Sequence, residues 1–137
     1  MCIRDRNRSA LVRVPTYFKR PKAMRCEYRA VDPSCNPYLA FSCLLAAGLD
    51  GIKKKIEPGE PLRMDMYELS PTEKEKYGIG ELPTTLRDAI DHLTTDEVLQ
   101  ETLGNHIYEA FVSLKIDEWN QYCLYVTPWE IMKYLDY

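Results

Sequence analysis

Residues 25–41 read RCEYRAVDPSCNPYLAF, and in this stretch the chain changes from strand periodicity to helix periodicity. Arg25-Cys26-Glu27-Tyr28-Arg29-Ala30 alternates polar and apolar without a break. Side chains point to opposite faces along a strand, so Arg25, Glu27 and Arg29 share one face and Cys26, Tyr28 and Ala30 the other. Asp32-Pro33 ends the strand. Asn36-Pro37 then starts a helix, with Asn as the cap and Pro at the first helical position. From Tyr38 to Leu49 that helix is apolar nearly all round, which predicts burial on most sides.

Upstream, Ala10-Leu11-Val12-Arg13-Val14 is a second β-rich segment, stopped by Pro15. Downstream, Gly48 and Gly51 loosen the first helix, and Lys53, Lys54 and Lys55 put positive charge at its C-terminus, where the helix dipole favours it. Glu57-Pro58-Gly59-Glu60-Pro61 is a turn-rich loop. Helix signals then repeat. Ser70-Pro71-Thr72-Glu73 is a capping box with Pro at the first position, and Thr85 to Asp88 and Thr94 to Glu97 share the same pattern. Gly104 closes one helix, and Ile107, Phe111, Leu114 and Trp119 form the apolar stripe of the next. Thr127-Pro128-Trp129-Glu130 caps a last helix that carries Ile131, Met132, Tyr134 and Leu135.

The expected class is α+β: two or so antiparallel strands followed by a mostly helical segment. Two strands are too few for a sheet that stands alone. The last helix is too apolar for a free end. Both elements call for further surfaces.

The 137 residues carry a net charge of −3, which excludes an overall field attracting nucleic acid or an anionic membrane. The basic residues are nonetheless clustered. Nine of the eighteen Lys and Arg lie from Arg4 to Arg29, which points to an anion-handling region there. Five cysteines, at positions 2, 26, 35, 43 and 123, are odd in number and form no CxxC pair, so reduced thiols in a cytoplasm are expected. Cys26, Cys35 and Cys43 are read as packing residues, and His92 and His106 as surface residues of helices. The longest apolar run, Tyr38 to Leu49, is too short to span a bilayer.

Arg8, Arg13, Arg25, Glu27 and Arg29 form the constellation with the most chemistry. A guanidinium is a fixed cation whose planar fork matches phosphate and carboxylate oxygens. Several on one surface make a clamp for a polyanion and stabilise charge on a moving phosphoryl group. Glu27, between two arginines, either pairs with them or holds a hard cation through its oxygens. By pattern alone, such alternation arises more often from a solvated strand face laced with ion pairs. Arg8 and Arg13 are five apart, so a shared site needs a bulge or turn between them.

NRSALVRVP (7–15) and PKAMRCEYRAVDPSCNPYLAFSCLLAAGLDGIKKKIEPGEP (21–61) resemble the C-terminal part of the catalytic domain of type I glutamine synthetases. The resemblance runs more loosely through YELSP, LPTTLRDAI, LGNHIYEAF and VTPWE to the end, and is nearest to an archaeal or Gram-positive-like branch. It implies an ATP-dependent glutamate–ammonia ligase with Mg²⁺ or Mn²⁺, working through γ-glutamyl phosphate. It also implies a cytoplasmic dodecamer of two stacked hexamers, with neither nucleic acid nor membrane as partner. Carried over by motif, Arg8 is catalytic and touches the transferred phosphate and glutamate. Arg13, Lys22 and Arg25, with Arg8, hold ATP; Glu27 holds the metal; Arg29 grips glutamate. Tyr67 falls where some bacterial members are adenylylated, but the segment after it resembles unregulated branches and it is read as a loop tyrosine.

The family's N-terminal domain, most of its barrel strands, its other metal carboxylates and its metal-binding histidine have no counterpart among these residues. The resemblance therefore implies a fragment, residues 7–137, inactive alone because a site assembled from many strands loses its preorganisation. Residues 1–6, MCIRDR, are expected to be a sequencing-adapter artefact: ATG-TGT-ATA-AGA-GAC-AG reads like a transposase adapter end, with Arg6 sharing a codon with the insert. The alternatives are a γ-glutamyl-amine (polyamine) ligase of the same fold and a non-catalytic helical interaction module derived from the family.

Overall fold

Asn36 starts the first helix as its sequence demands: the side-chain Oδ1 accepts from the backbone N–H of Tyr38 at 3.0 Å and of Leu39 at 3.4 Å, with Pro37 at the first helical position. The computed structural model describes residues 11–14, 25–57 and 68–135. Its elements, in order, are β1 (Val12–Arg13), β2 (Glu27–Tyr28), α1 (Pro37–Lys53), α2 (Pro71–Lys76), α3 (Leu86–Thr95), α4 (Glu97–Leu124) and α5 (Pro128–Tyr134). This is the α+β pattern expected, two antiparallel strands and then helices. The chain divides into two compact units, Met1–Phe41 with Gly48–Leu82, and Ser42–Ala47 with Pro83–Tyr137.

In the first unit β1 and β2 pair antiparallel, Val12 opposite Tyr28 and Arg13 opposite Glu27. The Arg29 N–H donates to the Leu11 carbonyl at 2.9 Å and extends the ladder by one bond. Both strands are shorter than the alternation predicted, at two residues each. Among the described residues no third strand flanks them, and an isolated pair has too little packing to hold more of the ladder. The face opposite the charges is also open: Cys26 is exposed rather than packed, and Tyr28 is 43% exposed. Ser70 caps α2 with the full reciprocal box, its hydroxyl accepting from the Glu73 N–H while Glu73 Oε2 accepts from the Ser70 N–H at 2.9 Å.

Helix α1 has the predicted cap and nearly the predicted length, yet none of its residues is buried. Tyr38, Phe41, Leu45, Leu49 and Ile52 recur at helical spacing and all are exposed. The expected burial on most sides is therefore absent, because an apolar face gains from leaving water only where another surface covers it. Gly48 and Gly51 lie within the helix, which ends at Lys53 with Lys54 paired to Asp50 at 2.8 Å.

In the second unit α3 and α4 make the main helix–helix contact. Leu86, Ala89, Ile90 and Leu93 of α3 meet Phe111, Val112 and Lys115 of α4 around an apolar groove of about 130 Å³. Ile90, at 5% exposure, is the one apolar residue buried among those described. Gly104 interrupts α4 with φ 68° and ψ 157°, so the predicted helix break is present. The α4 residues that line the groove all follow it, while before it Gln100 Nε2 donates to the Thr94 carbonyl of α3 at 2.9 Å. Of the predicted stripe after Gly104, Phe111 and Trp119 are half-buried, whereas Ile107 and Leu114 are exposed.

The caps of the second unit differ from expectation at one place. Thr85 caps α3 as predicted, accepting from the Asp88 N–H at 3.1 Å. Thr94 does not cap α4; Asp96 does, its carboxylate accepting from the Leu99 N–H at 3.0 Å. Thr94 instead lies in the last turn of α3, its hydroxyl donating to the Asp91 carbonyl at 2.9 Å. A charged carboxylate is the stronger acceptor for an orphan N–H, so α3 runs on to the residue before it. Thr127 and Glu130 form the predicted capping box of α5. Trp129, Met132, Tyr134 and Leu135 remain exposed there, as the apolar terminal helix led us to expect.

Candidate functional site

The antiparallel register places Arg13 directly across from Glu27, so their side chains rise from the same face of the strand pair. Arg29, two residues beyond Glu27 on the other chain segment, lies on that face by strand alternation. The three meet. Arg13 Nη1 donates to Glu27 Oε2 at 2.9 Å, and Arg29 Nε donates to Glu27 Oε1 at 2.7 Å. Each carboxylate oxygen thus accepts from a different guanidinium. The side chains of Arg13, Arg29 and Glu27 are 28%, 29% and 43% exposed, so the cluster is half-sheltered and open to solutes.

The hydrogen bond from Arg29, together with the positive charges of Arg29 and Arg13, holds the Glu27 carboxyl below its ordinary value; desolvation opposes this and loses. Glu27 is therefore ionised throughout the neutral range. An ionised carboxylate between two guanidiniums is a three-charge cluster with one net positive charge, suited to an anion that engages the arginines.

Among the remaining sequence-predicted residues, Arg25 is exposed, two residues before Glu27 and just outside the hydrogen-bonded strand pair. Arg8, Lys22 and Tyr67 lie outside the described residues, as do residues 1–6. Sequence alternation alone grouped Arg25, Glu27 and Arg29. Arg13 joins them through the register, which no local pattern encodes.

A divalent cation fits this site in one mode only. Among the described residues no group of three or more His, Cys, Asp or Glu side chains is placed to enclose a metal ion. Among the described residues of this cluster, Glu27 supplies the hard oxygen donor. Mg²⁺ characteristically binds through one or two carboxylates plus water and substrate phosphates, and a single carboxylate beside phosphate-matching guanidiniums suits that mode.

Elsewhere, His92 and His106 are exposed on their helices, as predicted. Cys35 and Cys43 are half-buried, and burial, with the charge of Asp96, pushes the Cys43 thiol up. Among the described residues no helix is long and apolar enough to cross a membrane.

A family model described as glutamine synthetase, catalytic domain, matches residues 2–134. A glutamine synthetase of Archaeoglobus fulgidus is 71% identical over 136 residues, which cover 99% of this chain and 28% of that protein. That of Methanocaldococcus jannaschii is 52% identical over 133 residues, covering 97% of this chain and 29% of its own length. Both are archaeal, in keeping with the expected branch. A solved structure described as a GmaS/ADP complex in conformation 1 superposes with a TM-score of 0.79 at 40% identity, over 96% of this chain and 28% of that one. The chain thus spans somewhat over a quarter of the length of the proteins it matches.

Proposed function

Since the chain belongs to the glutamine synthetase catalytic-domain family, we propose that it supplies phosphate-, metal- and glutamate-binding side chains to an ATP-dependent glutamate–ammonia ligase. The observation that carries this reading is Glu27 held between Arg13 and Arg29 on one strand face, in a segment 71% identical to a named glutamine synthetase.

In the proposed reaction the glutamate γ-carboxylate attacks the γ-phosphorus of ATP, forming γ-glutamyl phosphate and releasing ADP. Ammonia then attacks the acyl carbon, phosphate leaves, and a proton is lost to give glutamine. Arg13 and Arg25, with Lys22, hold the nucleotide phosphates, and Arg8 contacts the phosphoryl group as it moves. Fixed cations placed where negative charge spreads over the transferring oxygens lower the barrier without reorganisation. Arg29 takes a carboxylate of the substrate glutamate in its planar fork. Glu27 would hold a Mg²⁺ or Mn²⁺ ion, which when bound neutralises phosphate charge. The ADP in the similar GmaS structure supports an adenine nucleotide as the phosphate source. The names of the relatives, glutamine synthetase at 44–71% identity, support ammonia over an amine as the acceptor.

The same reading extends to the setting. The intact enzyme is a cytoplasmic dodecamer of two stacked hexamers, and the exposed apolar side chains of α5, such as Trp129 and Met132, are contact surface within it. The chain alone, lacking most of the synthetase site, makes no glutamine.

A graft tests this. These residues replace the matching segment of the Archaeoglobus fulgidus enzyme, and glutamine formation from glutamate, ammonia and ATP is followed with product identification by mass. Activity in the graft, its loss in Arg13→Gln and Glu27→Gln, and none in the chain alone are the expected results. An inactive but folded graft, or a γ-glutamyl-amine formed in preference to glutamine, would overturn the reading.

A further inference from the structure

The outward face of α1 is apolar, and its pattern is the same from either end. Tyr38, Phe41, Leu45, Leu49 and Ile52 stand on it at 47–82% exposure, at the recurrence of a helix–helix seam. Leu39, Ala40 and Cys43, on the opposite side of the helix, are half-buried. Turned end for end about Leu45, the outward face maps onto itself: Tyr38 falls on Ile52, Phe41 on Leu49, the small Ser42 on the small Gly48, and Leu45 on Leu45. A two-fold interface has this property, because residue i meets residue j while j meets i. A second copy laid antiparallel thus sets each aromatic ring of one helix against an aliphatic side chain of the other.

We propose that the 137-residue chain pairs with a second copy of itself through this face of α1, antiparallel, with the two-fold axis at Leu45. Charge selects the direction. No charged residue lies between Tyr38 and Leu49, whereas Lys53, Lys54 and Lys55 follow one another at the C-terminal end. A parallel pair would set the two lysine runs side by side. An antiparallel pair separates them by the length of the 17-residue helix, about 25 Å, well beyond the Debye length of about 8 Å at physiological salt. It also opposes the two helix dipoles. The two aromatics offer about 300 Å² per copy, and with the three aliphatics the pair covers about 1,200 Å² in total, the lower limit of standard interfaces. That size suits a reversible dimer. The pairing belongs to this chain by itself and is independent of the ligase reading.

Sedimentation equilibrium of the whole chain, from micromolar to sub-millimolar concentration, tests the pairing. The parent should approach twice the mass of the single chain as concentration rises. Leu45→Lys places two like charges on the axis and should weaken association by about 100-fold or more. Met132→Lys, at an exposed apolar position on α5, should leave it intact. Direction is read from a mixture: Phe41→Lys and Leu49→Glu should each be monomeric alone, yet form a heterodimer when mixed, since only the antiparallel register sets that lysine against that glutamate. Circular dichroism establishes that each variant retains the parent's helix content. A monomeric parent overturns the pairing and leaves the face to another part of the intact enzyme. A dimer that survives Leu45→Lys, or that Met132→Lys dissolves, overturns it as well. A mixture that stays monomeric overturns the antiparallel register.

Discussion

Arg13 sits opposite Glu27 in the antiparallel register and donates to its Oε2 at 2.9 Å, although the two are fourteen residues apart in the chain. The pair joins the two short strands by charge as well as by backbone bonds. It brings a guanidinium and a carboxylate into direct contact across the strand pair.

The Glu27 carboxyl titrates below 4.5, its ordinary value, because the charged form is hydrogen-bonded to Arg29 and faces Arg13. With the folded value below the unfolded one, the ion pairs' contribution to stability is complete above about pH 4.5 and is lost as pH falls through the folded value. Carbon-13 NMR of the glutamate carboxyls should show one midpoint displaced downward, and Arg29→Gln should move it back up. A Glu27 midpoint at or above 4.5 would contradict the observed pairing.

Ile90→Ala should be the most damaging single truncation among the described apolar residues, since Ile90 is the one that is buried. Losing a buried isoleucine's methyl and methylene groups and enlarging the adjacent groove costs about 2–5 kcal/mol, against about 0.5–1.5 for Ile90→Val. Urea unfolding followed at 222 nm should show the midpoint fall in that order. Ile131→Ala, at an exposed position, should change little.

Two glycine substitutions should act in opposite directions. At Gly104, φ 68° with ψ 157° is a conformation only glycine adopts readily, and an added Cβ meets no atom within 4 Å, so the whole cost of Gly104→Ala is backbone strain of about 1–3 kcal/mol. Gly48 lies inside α1, where an added Cβ also meets nothing within 4 Å, and Gly48→Ala should add about 0.5–1 kcal/mol of helix stability. Thermal melts of the two variants should bracket that of the parent.

Thr127→Ala removes the hydroxyl that accepts from the Glu130 N–H at 3.2 Å and one arm of the capping box. Caps of this kind contribute about 1 kcal/mol, so opening of α5 should rise roughly fivefold. Hydrogen exchange at Ile131 to Tyr134 should quicken by that factor, while amides of α3 keep their protection. Acid should mimic the variant, because hydrogen bonds from Thr127 hold the Glu130 carboxyl below its ordinary value and protonation removes them.

Helix starts and stops were readable residue by residue, because a cap or a positive-φ glycine is decided by atoms within one turn. Asn36, Ser70, Thr85 and Thr127 cap the helices predicted from them. The error at Thr94 came from the same local level: the Asp96 carboxylate caps α4 through the Leu99 N–H, while the Thr94 hydroxyl donates back to the Asp91 carbonyl inside α3. The charged face of the second strand was equally legible, since alternation puts Glu27 and Arg29 on one side wherever the segment is extended.

What the chain's local chemistry left open was everything that depends on segments meeting. Strand length, the arrival of Arg13 opposite Glu27 and the burial of Ile90 rather than Leu114 were settled by register and helix packing. The apolar run of α1 declared that its side chains avoid water, but hydrophobicity has no direction and names no partner. Burial is a property of two surfaces, and the tertiary structure decides which faces have a second one: among the described residues Ile90 is buried, whereas Phe41 and Ile52 stay exposed.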